Sequence, residues 1–145
     1  MCRVLDVRLP AVAENGVWLW LPNEYRAVRD PSITDADMEA VEAARHYCEV
    51  ELRPLGFDRQ PGKSCSVTLW TEDTNRLMAL LPELRARVEK EGWPFRVSAS
   101  ETHVNLDLLQ IDKGTGIRRF REVTGLQPEQ LGASGDTSGD LAMRP

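Results

Sequence analysis

Near the end of this chain, Gly135-Asp136-Thr137-Ser138-Gly139-Asp140 sets two carboxylates four positions apart around a flexible turn. Such a turn can aim both at one cation. Magnesium takes hard oxygen ligands and keeps several waters, so one direct carboxylate and one acting through water, or both through water, would suit it. The glycines let the backbone bend sharply and leave room for a phosphate. Upstream, Lys113 stands after an apolar strand pattern and before a helical one, where an ammonium could neutralise a phosphoryl group. Taken singly, an Asp pair in a Gly/Ser loop reads as a solvated turn and a lone lysine as surface decoration. Their order and the elements around them point to phosphate chemistry.

These side chains need a frame. Leu131–Ser134 reads as a short apolar strand running into the acidic turn, and ligands bind at that edge of open α/β sheets. Lys113, Gly114 and Thr115 introduce a helix with Ile117, Phe120 and Val123 inward, which Gly125 closes. At the other end of the chain, two apolar runs between Leu9 and Leu21 flank Glu14-Asn15-Gly16, a strand, tight turn and strand. Asn23–Ser32, with Pro22 before it and Pro31 within it, breaks regular structure and marks passage between lobes.

The middle of the chain has its own pattern. Thr34 and Asp37 form a capping-box-like start for a helix burying Met38, Val41, Ala44 and Cys48, and Pro54 ends it. A loop at Gly56–Gly62 precedes a half-buried strand in which Cys65, Val67 and Leu69 alternate with Ser66, Thr68 and Trp70. Leu77, Leu80, Leu81, Leu84 and Val88 predict a second helix stopping at Gly92, with Pro82 kinking it or starting a new segment. Phe95–Ala99 and Val104–Leu108 alternate as a hairpin. Helix, strand, helix, strand, strand suits an α/β layer with both helices on one face of an antiparallel sheet.

Composition narrows the function classes. A net charge of −5 and a pI near 5.1 disfavour nonspecific binding to nucleic acid or an anionic membrane, so small solutes are the expected partners. The basic cluster Arg118, Arg119 and Arg121 reads as a solvated helix face. No apolar run approaches the ~20 residues of a spanning helix, and Arg3, Asp6 and Arg8 interrupt the N-terminus, so the expected location is the cytoplasm. Cys2, Cys48 and Cys65 are odd in number and lack a CxxC pair, so they read as reduced thiols. His46 and His103 match no metal-ligand spacing, and Gly62-Lys63-Ser64 lacks the remaining frame of a nucleotide loop. Trp18, Trp20, Trp70 and Trp93 read as packing residues, with a sugar-facing cleft as the alternative.

Lys113 followed by the GDTSGD loop resembles the third and fourth motifs of the haloacid dehalogenase (HAD) superfamily. Glu14-Asn15-Gly16 resembles the turn that precedes a mixed α/β cap in its Cof-like, sugar-phosphatase branch. The resemblance covers Pro10 to Met143. It implies an α/β fold with an inserted cap at residues 33–110 and a partial Rossmann-like core from 1–32 and 111–145. It also implies a magnesium-dependent phosphomonoester hydrolase acting on a small sugar phosphate or related metabolite. Lys113 would be the catalytic lysine, Asp136 and Asp140 the magnesium residues, and Gly114 and Thr137 accessories at the phosphate. Because the cap selects substrate in this family, Arg53, Lys63, Arg96 and His103 become substrate-binding candidates. The DxDxT-type segment that supplies the nucleophile does not occur in these residues, since Asp6 is followed by Val7 and Arg8. Core segments on both sides of those present are therefore expected. The alternative is a noncatalytic remnant serving as a ligand-binding or oligomerising module, and exposed edges of a partial sheet predict self-association.

Overall fold

The computed structural model of the chain describes residues 8–132, 134 and 138–143. In chain order its strands are β1 (Ala11–Ala13), β2 (Trp18–Leu21), β3 (Arg26–Arg29), β4 (Asp58–Arg59), β5 (Ser66–Trp70), β6 (Phe95–Ala99) and β7 (His103–Leu108). The helices are α1 (Asp35–Tyr47), α2 (Thr74–Glu91) and α3 (Lys113–Thr124), with short 3-10 turns between elements. The fold is mixed α/β with antiparallel sheets, and the chain divides into two compact units. One is formed by Met1–Ser32 with Gln110–Pro145, the other by Ile33–Leu109.

The unit of Ile33–Leu109 is built on a four-stranded sheet in the order β4-β5-β7-β6. Its registers pair Val67 with Leu106, Leu69 with Val104, Val97 with Leu106 and Phe95 with Leu108, which gathers these side chains on one apolar face. α1 packs against β5, and α2 against β6 and β7. Each fully buried Leu or Val of this core, such as Leu69, Leu77, Leu84 and Leu106, stabilises the fold by roughly 1.5–3 kcal/mol. Tyr47 stitches the helices together. Its hydroxyl donates to Glu83 at 3.1 Å, the Arg87 guanidinium lies 4.6 Å over its ring, and Trp93 packs on it and on Phe95. Burial first, then the Glu83 carboxylate, pushes the Tyr47 hydroxyl above its ordinary titration range.

Local signals set the ends of these helices. At α1, Thr34 Oγ1 accepts from the Asp37 N–H at 3.2 Å while the Asp37 carboxylate accepts from the Thr34 N–H at 2.7 Å, the expected capping box. The helix passes into a wider π turn at Cys48–Leu52 before Pro54, which has no N–H to continue it. Asp73 caps α2, and Gly92, at φ 64°, ends it in the left-handed region. α2 runs unbroken through Pro82, because the buried row Leu77, Leu80, Leu84 and Val88 outweighs the single backbone bond the proline removes.

Two further differences belong to this unit. The expected loop at Gly56–Gly62 contains the short edge strand β4, paired with β5 through Asp58–Trp70 and Arg59–Leu69. β5 is flanked on both sides and is buried on both faces, so Ser66 and Thr68 are covered along with Val67 and Leu69. The Thr68 hydroxyl is satisfied by donating to Asn105 Oδ1 at 2.8 Å.

The other unit holds a three-stranded antiparallel sheet, β1-β2-β3, and α3. The expected hairpin is present, with Ala13 opposite Trp18. The stretch expected to be irregular contains β3 instead. Tyr25, in the left-handed region at φ 50°, reverses the chain after a 3-10 turn at Pro22–Glu24 and lays β3 back along β2. The strand expected at Leu131–Ser134 is not formed by the described residues Leu131, Gly132 and Ser134. A strand needs a hydrogen-bonding neighbour, and no described strand lies alongside this stretch. α3 follows the expected face only in part, with Ile117 and Phe120 half-buried. Gly114 and Gly116 are its buried residues, whereas Val123 is 50% exposed. No helix among the described residues is long and apolar enough to cross a membrane.

Burial pushes the Cys48 thiol up to about 12. Iodoacetamide at pH 8 should therefore leave Cys48 unmodified in the native protein and label it after denaturation, as read by peptide mass spectrometry. Rapid labelling of native Cys48 would contradict its placement.

Candidate functional site

The site is organised by the first turn of α3. Asp112 precedes the helix and caps it, its carboxylate accepting from the Thr115 N–H at 2.7 Å while Thr115 Oγ1 accepts from the Asp112 N–H at 3.1 Å. Lys113 is the first helical residue. Its side chain is 39% exposed, and its ammonium pairs with the carboxylate of Asp140, whose side chain is 10% exposed and lies on the 3-10 turn Ser138–Met143.

Close backbone approaches hold that turn of helix in place. Glu14, Asn15 and Gly16 all take positive φ, at 51°, 55° and 113°, so the chain turns tightly between β1 and β2. The turn lies directly under α3. A Cβ on Gly16 would fall 2.6 Å from the Asp112 carbonyl oxygen, and one on Gly116 would fall 2.7 Å from Val12 Cγ1 and 2.8 Å from Gly16 Cα. On the other side, a Cβ on Gly114 would overlap the Ala142 carbonyl. Glycine at 114 and 116 is thus what lets α3 reach the Glu14–Gly16 turn and the segment carrying Asp140 at once.

Arg119 locks this arrangement and corrects the reading of its cluster as a solvated face. Its side chain is 15% exposed. Nη1 donates to the carbonyls of Gly16 and Val17 at 3.0 and 3.3 Å, and Nη2 to those of Val28 and Arg29 at 3.2 and 3.3 Å. The Asp30 carboxylate, 9% exposed, lies 3.4 Å from Nη1 and also accepts from the Ser32 N–H and hydroxyl at 2.9 and 2.6 Å. One available signal was that Arg119 lies three residues beyond Gly116 and so shares its helix face. Arg121 donates to the Leu126 carbonyl just past the helix end, and Arg118 is exposed.

No family model matches the chain. The phosphoglycolate phosphatase of Methanosarcina acetivorans is 36% identical to it over 61 residues, which are 41% of this chain and 27% of that protein. An X-ray structure of a Thermotoga maritima protein superposes with a TM-score of 0.64 at 18% identity, covering 98% of this chain and 63% of that one. The sucrose-phosphatase of Synechocystis, solved with sucrose and phosphate, superposes with a TM-score of 0.58 at 15% identity, covering 88% of this chain and 52% of that one. The chain shares its fold with these two solved structures. The chain spans about a quarter of the curated relative and between half and two thirds of these solved structures.

Of the HAD-type residues that the sequence singles out, Lys113 and Asp140 come together, with Gly114 beside them against Ala142. Asp136 and Thr137 lie outside the described residues. Asp140 is a hard oxygen donor of the kind magnesium takes, but it is a single ligand. Among the described residues no group of three His, Cys, Asp or Glu side chains is placed to hold a metal ion.

The four substrate-binding candidates separate. Arg96 of β6 faces Asp107 across the sheet and His103 of β7 faces Trp70, which puts both on the polar face that also carries Ser66 and Thr68. His103 Nδ1 lies 2.7 Å from the Thr102 hydroxyl. Arg53 instead pairs with Glu49 at 2.8 Å, and that guanidinium, with Arg59, holds the exposed Glu49 carboxyl below its usual range. Lys63 lies in the loop whose carbonyls, at Lys63 and Ser64, accept from Arg45 at 2.8 Å.

The close approach of the Glu14–Gly16 turn leaves no room for a Cβ at Gly116. Gly116→Ala should destabilise the chain by about 1–3 kcal/mol through overpacking against Val12 and Gly16, despite the better helix propensity of alanine. Urea unfolding would measure this, and wild-type stability would contradict the close approach.

Proposed function

We propose that the chain carries the lysine-bearing portion of a HAD-type phosphomonoester hydrolase acting on a small sugar phosphate or related metabolite. The observation that carries this reading is the Lys113–Asp140 pair at the capped N-terminus of α3. A helix N-terminus directs unpaired N–H groups and a partial positive charge outward, and Lys113 adds a full charge to it. A phosphoryl group bound there would have its negative charge met by the ammonium. Gly114, without a side chain, lets the segment carrying Asp140 pack against this end of the helix.

In this reading the unit of Ile33–Leu109 is the cap, and the other unit belongs to the core. Arg96 and His103, on the polar sheet face, are its better-placed substrate contacts. Arg53, which is paired with Glu49, and Lys63 are further candidates. Asp140 orients Lys113 and, with Asp136, would hold magnesium, with Thr137 as an accessory at the phosphate. Bound magnesium would supply Lewis-acid neutralisation of phosphate charge. The attacking carboxylate would come from a DxDxT segment, which these 145 residues do not include. That same feature favours the second reading, a noncatalytic chain that binds phosphorylated ligands or assembles with other copies.

The test is phosphate release from a panel of sugar phosphates with magnesium present. The chain alone should release none. Adding a polypeptide that supplies the DxDxT segment of a relative with this fold should restore release, and Lys113→Met should then lower the rate by at least about a hundredfold. Release by the mixture that is indifferent to both Lys113→Met and Asp140→Asn would refute the assignment.

A further inference from the structure

Arg119 is a buried cation that the proposed chemistry does not use, yet its partners come from separate pieces of the chain. Gly16 and Val17 close the turn after β1, Val28 and Arg29 end β3, and Asp30 follows at once. A planar guanidinium can bond to all of these together, whereas an ammonium cannot span the same acceptors. Gly116 and Arg119 share a face of α3, so the helix is fixed to the sheet at two points one turn apart. Two fixed points on a rigid helix set its height and rotation, and thereby the direction of Lys113 at its first position. The fixing extends further. Asp30 also holds Ser32, and the Ser32 carbonyl accepts from Gln110 Nε2 at 3.5 Å, so Arg119 is tied to both chain segments that lead into the other unit.

We propose that Arg119 is a positioning residue for Lys113: by clamping the Glu14–Gly16 turn and the end of β3 onto α3, it directs the Lys113 ammonium to Asp140 and to the phosphoryl group. The inference rests on the reading of Lys113 as the phosphoryl-binding lysine. The Lys113–Asp140 pairing itself can be tested without that reading.

The experiment is side-chain ammonium NMR of the intact 13C,15N-labelled chain, with the Lys113 signal assigned by its loss in Lys113→Met, together with titration by inorganic phosphate. In the wild type, the Lys113 signal should show coupling to the Asp140 carboxylate carbon. Arg119→Lys retains a positive charge toward Asp30. In that variant, with backbone amide spectra and melting showing a folded chain, the coupling should vanish and phosphate affinity should fall about tenfold, the effect expected when an orienting partner is lost. A merely structural role would lower the melting temperature and leave the Lys113 signal in the folded protein unchanged, which overturns the proposal. If Arg119→Lys does not fold, Asp30→Asn is read the same way: a displaced Lys113 signal supports the proposal and an unchanged one overturns it. Equal phosphate binding by wild type and Lys113→Met would defeat the phosphoryl-site reading alone, while the Lys113–Asp140 coupling would still decide the positioning role.

Discussion

The unit formed by the two ends of the chain depends on a backbone meeting a backbone. Gly16 and Gly116 approach so closely that neither tolerates a Cβ, and this contact brings the tight turn between β1 and β2 against the first turn of α3. Two segments a hundred positions apart are joined without an interdigitating side chain. Arg119 then donates to four carbonyls at that junction, one of which, that of Val17, also accepts from the Asp30 N–H at 2.7 Å. The element being held is the helix that carries Lys113.

Electrostatics follows the same geometry. The largely covered pair of Arg119 and Asp30 is a structural interaction, tied by hydrogen bonds to four carbonyls and to Ser32. Removing one member would strand the other, at a cost of about 3–5 kcal/mol. The pair of Lys113 and Asp140 differs in that the lysine keeps substantial exposure while the carboxylate is nearly covered. An exposed ammonium on a helix N-terminus can exchange its partner for an incoming anion, whereas the Arg119 guanidinium cannot. The distinction separates the residue that could act on a ligand from the residue that holds it in position.

Features carried by local chemistry were legible in the sequence. The Glu14-Asn15-Gly16 turn, the Thr34–Asp37 capping box, the stops at Gly92 and Gly125 and the hairpin of β6 and β7 all come from neighbouring residues, and all are present. What was misread depends on distant partners. β3 and β4 are too short to show a period and exist through pairing with β2 and β5. The apolar stretch at Leu131 has the composition of a strand but no described neighbour to pair with. On α3, Ile117, Phe120 and Val123 carry the hydrophobic signal, yet Val123 is exposed and the closest contacts use two glycines and an arginine. Hydrophobic periodicity cannot register a contact made by absent side chains. For the site, the placing of Lys113 beside Asp140 was legible in the order of residues, and its supporting clamp was not.

The most direct measurement is a crystal structure of this chain at a resolution that places side-chain nitrogens. The account predicts Gly16 Cα in van der Waals contact with Gly116, the Arg119 guanidinium spanning the Gly16 and Val28 carbonyls, and the Lys113 amine at the Asp140 carboxylate. An α3 rotated so that Lys113 and Asp140 lie on opposite sides of the unit, with Arg119 in solvent, would contradict it.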